Sequence, residues 1–96
     1  MNMSHVNKKQ ADSLIKKNTT IIDLRNPVAF RDGHIDGAKN LTLKYFLNYL
    51  MTIKDKKTSM LVYGDTFTES DLSSVMTYAD QLGFSKIKTG LYHEIK

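Results

Sequence analysis

Two short apolar runs restrict this chain more than any other feature. They are TTIIDLR at residues 19–25 and SMLVYG at residues 59–64. Both are rich in β-branched and aliphatic residues and read as buried strands. Each hands over to residues that favour helix. After the first, Asn26 can cap a helix and Pro27 suits its first position. After the second, Leu72, Val75, Met76, Ala79 and Leu82 recur at helical spacing, and Gly83 stands where a terminal glycine belongs. Strands that alternate with helices imply a parallel sheet covered on both faces.

The remaining segments fit that plan. SHV at residues 4–6 is a short strand candidate. Asn7 is an N-cap for a helix that turns Ala11, Leu14 and Ile15 inward, and Asn18 can end it in the left-handed conformation. AKNLT at 38–42 is a weak strand. Leu43, Phe46, Leu47, Leu50 and Met51 form one apolar helical face. SKIKTG at 85–90 closes the sheet, with Lys86 and Lys88 alternating with Ile87 as on an edge strand. The expectation is an α/β fold: one small doubly wound domain over residues 1–96, with a central parallel sheet of about five strands. Ligands of such sheets gather at the carboxyl ends of the strands. Two places qualify here, the turn after Arg25 and the loop after Tyr63.

Composition narrows the function classes. The chain has 96 residues and no cysteine, which excludes disulfides, thiolate zinc sites and a thiol nucleophile. Its net charge is +4, but the lysines are scattered, and the densest run, KDKK at 54–57, reads as a solvated connection. This speaks against nucleic acid as a partner. The longest apolar runs are far too short for a bilayer. MNMSHVNKKQ has no apolar stretch of the secretion-signal kind, so a cytoplasmic protein is expected.

The segment IDLRNPVAFRDGHIDGAKNL, residues 22–41, resembles the signature of rhodanese-like domains. Asp23, Arg25, Pro27, Phe30, Gly33, His34, Ile35, Gly37 and Ala38 fit its order, and Ala29 stands where the family has a glutamate. Without that glutamate, Arg25 needs another partner, Asp23 or Asp32. His34, a lone histidine in a Gly-rich turn, reads as a structural hydrogen-bonder, with no second ligand at metal spacing. The resemblance implies a loop after the next strand whose backbone N–H groups cradle an anion and whose cysteine holds transferred sulfur as a persulfide.

In this chain Gly64 takes the cysteine position, followed by Asp65, Thr66, Phe67, Thr68, Glu69 and Ser70. Ser70 matches the family serine, so loop length is kept. Glu69 replaces the arginine, and Phe67 replaces a common glycine. No covalent sulfur intermediate can form on Gly64. Glu69, Asp65 and Asp71 oppose an incoming anion, although TESD at 68–71 also suits a helix start, with Thr68 or Ser70 as its cap. Phe67 can turn inward and occupy the anion site. The expected terminal helix is shortened or absent in TGLYHEIK, which would leave an apolar patch open.

The function expected from this reading is an inactive rhodanese-like domain that binds or regulates. Residues 64–70 form its vestigial loop, supported by Asp23, Arg25 and His34. No cofactor or metal is expected, and the partner is an unidentified protein or small ligand. The alternative is an enzyme with altered chemistry, using the loop carboxylates or a metal on phosphate esters.

Overall fold

The computed structural model describes residues 5–96. In chain order the elements are α1 (Lys8–Lys16), β1 (Thr20–Asp23), α2 (Pro27–Asp32), β2 (Lys39–Asn40), α3 (Leu43–Thr52), β3 (Met60–Gly64), α4 (Glu69–Gln81), β4 (Ile87–Leu91) and α5 (Tyr92–Ile95). The strands pair in the order β2-β1-β3-β4, and every pairing is parallel. This is the doubly wound α/β plan, with four strands among the described residues where about five were expected. Of the proposed first strand, Ser4 lies outside the described residues. His5 and Val6 are not in a strand: among the described residues they show one main-chain bond to the sheet, from the Val6 N–H to the Thr89 carbonyl at 2.8 Å.

Local chemistry sets the element ends. Asn7 and Gln10 form a reciprocal capping box at the start of α1, and Asn26 accepts from the Ala29 N–H ahead of Pro27. Asn18 leaves α1 at φ 58°, and Gly83 leaves α4 at φ 91°, a conformation that costs glycine nothing. Thr68 caps α4 by accepting from the Asp71 N–H.

Because side chains alternate along a strand, β3 feeds two cores at once. Met60 and Val62 join Ile22, Phe46, Leu50, Val75 and Ala79 on the face covered by α3 and α4. Leu61 and Tyr63 join Ala11, Ile21 and Ile95 on the face covered by α1 and α5.

Two expectations need correction. Met51 does not belong to the buried face of α3; it is 63% exposed. It sits in the last turn, after which the chain leaves toward β3, and Tyr49 packs on the core instead. Nor does the short C-terminus leave its apolar residues open. The single turn of α5 puts Ile95 at 1% exposure against the sheet.

Candidate functional site

β1 and β3 are neighbours, with Asp23 level with Tyr63, so their carboxyl ends stand side by side. The two places singled out in the sequence therefore become one. A cavity of about 180 Å³ opens there, lined by Leu24, Arg25 and Leu43 and by Gly64, Asp65, Thr66, Phe67 and Asp71.

The β1 side is rigid. Asp23 is fully buried, and its Oδ1 accepts the Arg25 backbone N–H at 2.7 Å. Its two oxygens also take Arg25 Nε at 3.2 Å each and Nη2 at 3.0 Å. The second Nη2 donor goes to the Gly33 carbonyl. Asn40 ties in the carbonyls of Asp23 and Arg25 at 3.1 and 2.8 Å. Arg25 lies against the Tyr92 ring, 3.8 Å from its centroid. Burial works against the guanidinium charge, but the hydrogen bonds and charge of Asp23 outweigh it and hold its pKa above the ordinary value. Of the two partners expected for Arg25, it takes Asp23, not Asp32. Beneath it, burial pushes the Tyr63 phenol far above its usual pKa, even though its oxygen accepts the Ile35 N–H at 3.1 Å.

The β3 side is built differently. Gly64 is the last residue of β3, and its φ lies outside the left-handed region, so the backbone does not demand glycine there. A Cβ on Gly64 would meet the Phe67 ring at 3.6 Å. The ring packs on the core beside α3 and α4, and it stacks on His5 with centroids 5.4 Å apart. Phe67 therefore lies against the position from which a cysteine side chain would project. Asp65 reaches back to Arg25, with Oδ1 3.7 Å from Nη1.

The structure divides the seven loop residues. Gly64, Asp65, Thr66 and Phe67 line the cavity, whereas Thr68, Glu69 and Ser70 begin α4. The Glu69 side chain lies outside what the structure describes. His34 is elsewhere, exposed and stacked on Phe30 at 3.8 Å, with its Nδ1 donating to the Phe30 carbonyl at 2.7 Å. Among the described residues no three His, Asp or Glu side chains converge as metal ligands would. Nor is any described helix long and apolar enough to cross a membrane.

Sequence reasoning treated Arg25 as support and missed that it lines the cavity. It also missed Leu24, Leu43 and the Tyr92 ring behind the guanidinium. Pairing the strand candidates at 19–25 and 59–64 as adjacent parallel strands would have brought Arg25 beside the loop.

Comparisons with known proteins agree with this architecture. The family model for the rhodanese-like domain matches residues 7–90. No curated protein matches. Among solved structures, the human single-domain sulfurtransferase superposes with a TM-score of 0.71 at 16% identity, covering 94% of this chain and 92% of that one. A Staphylococcus saprophyticus protein gives 0.68 at 14% identity, covering 94% and 88%. A rhodanese-like domain from Anabaena gives 0.66 at 21% identity, covering 98% and 70%. At these identities the likeness to the solved structures speaks for the fold alone.

Proposed function

Because this chain belongs to the rhodanese-like domain family, we propose that it is a member without sulfur-transfer chemistry, acting as a binding or regulatory module. One observation carries the reading. The strand-end position that would bear the nucleophile is Gly64, and the Phe67 ring rests against it. The full sequence has no cysteine to take over the role. A persulfide needs a thiolate to attack the donor sulfur, and no other side chain present does that. What remains is a small amphipathic cavity on a rigid frame, which suits recognition more than turnover. The reading takes the cytoplasm as its setting, which cell fractionation tests.

The test is sulfur transfer from thiosulfate to cyanide. The purified protein is expected to release no thiocyanate above the buffer rate, and turnover would overturn the reading. Gly64→Cys is expected to fold, because its Cβ would meet Phe67 at an ordinary contact distance. It should stay nearly inactive, with its sulfur beside a phenyl ring and the family's arginine replaced by Glu69. A metal-dependent rise in Tm, together with phosphate-ester hydrolysis lost in Asp65→Asn, would replace this reading with carboxylate chemistry.

A further inference from the structure

The hydrogen-bond inventory of Arg25 leaves a directed remainder. A guanidinium has five N–H donors in a fixed fork. Nε and one Nη2 donor go to Asp23, and the other Nη2 donor goes to Gly33. Among the described residues both Nη1 donors are left without a hydrogen bond. The side chain carrying them is only 6% exposed, so their direction is fixed. Arg25 lines the cavity, and the group nearest Nη1 there is the Asp65 carboxylate. At 3.7 Å that contact is an ion pair too long for a hydrogen bond, from a side chain 62% exposed. Asp65 occupies the place of an anionic oxygen without satisfying the donors.

We propose that Arg25 Nη1 is a carboxylate-binding handle, and that the cavity takes a short aliphatic monocarboxylate for which Asp65 stands in when the site is empty. This inference rests on the binding-module reading. The ligand's oxygen displaces Asp65 and accepts from Nη1. Its hydrocarbon part lies against Leu24, Leu43 and Phe67, and about 180 Å³ limits it to a few carbons. Charge selects the class. The lining holds one guanidinium and two carboxylates, Asp65 and Asp71, so a dianion is repelled more strongly than a single carboxylate. A neutral amide lacks the charge that strengthens the bond to Nη1.

The test is a two-dimensional amide NMR titration of the full chain with butyrate, butyramide and thiosulfate. Butyrate is expected to shift the signals of Gly64–Phe67, and butyramide is not. Asp65→Asn, which touches only an exposed side chain and should keep the wild-type Tm, is expected to bind butyrate about fivefold tighter through loss of the competing carboxylate. Asp71→Asn, which leaves the stand-in in place, should tighten binding less. Equal binding of butyramide, unchanged affinity in Asp65→Asn, or thiosulfate binding tighter than butyrate would each overturn the proposal. Its failure leaves the loss of sulfur transfer standing, and thiocyanate release would remove that reading without touching the titration.

Discussion

At the carboxyl end of β1, Asp23, Arg25 and Asn40 are bound to one another and to the main chain, and Asp23 and Arg25 are buried. At the neighbouring end of β3, Asp65, Thr66 and Thr68 face solvent, and Phe67 is only half-buried. The first end matches its family's signature and the second departs from it. The difference follows from what each end holds in place. The β1 end fixes the turn into α2 and the path of β2, so a change there disturbs the sheet. The fold asks of the β3 loop only the right length and a cap for α4. Its side chains are therefore less tied to the sheet than those of the β1 end.

Breaking the buried pair should give the largest effect. Asp23→Ala leaves the Arg25 guanidinium buried without its counterion and is expected to cost about 3–5 kcal/mol by chemical denaturation. A loss below about 1 kcal/mol would mean that the two ends are equally dispensable. Phe67→Ala should cost less, roughly 1–3 kcal/mol, because the ring is only partly buried. In a Gly64→Cys background it should also speed reaction of the introduced thiol with a disulfide reagent, and an unchanged rate would show that the ring does not cover that position.

Alkaline titration sharpens the contrast further. The folded pKa of Tyr63 lies above its ordinary value of 10.0. Below pH 10 both folded and unfolded chains keep the proton and the linked stability is intact. Above it the unfolded chain ionises first, and stability falls by up to about 1.4 kcal/mol per pH unit. Tyr63→Phe should flatten that fall while costing about 1 kcal/mol at neutral pH through the lost acceptor for Ile35. The smallest effect is expected at the loop's helix start, where Thr68→Ala removes one cap, about 1 kcal/mol or less, and leaves the cavity unchanged. Butyrate shifts in that variant should equal those of the wild type.

Whatever depends on near neighbours was legible in the sequence. Asn7, Asn18, Asn26, Thr68 and Gly83 act on backbone within a few residues, and β3 declares itself by composition. Met51 misled because helical periodicity says which residues share a face, not whether anything covers the final turn. The strand expected at 4–6 reflects a similar limit: among the described residues, His5 and Val6 show one main-chain bond to the sheet, from Val6 to Thr89 of β4. The cavity was half legible. Its loop was located from one segment, whereas the reach of Arg25 and the cover of Tyr92 come from residues far apart in sequence.

The strand order also governs how this chain can assemble. β1 has a two-residue partner in β2, and its long partner, β3, begins 40 residues later, Thr20 opposite Met60. A nascent chain therefore exposes the edge of β1 that β3 will cover until those 40 residues have followed it. For that interval β1 depends on chaperone cover or its own brevity to avoid pairing with the wrong neighbour.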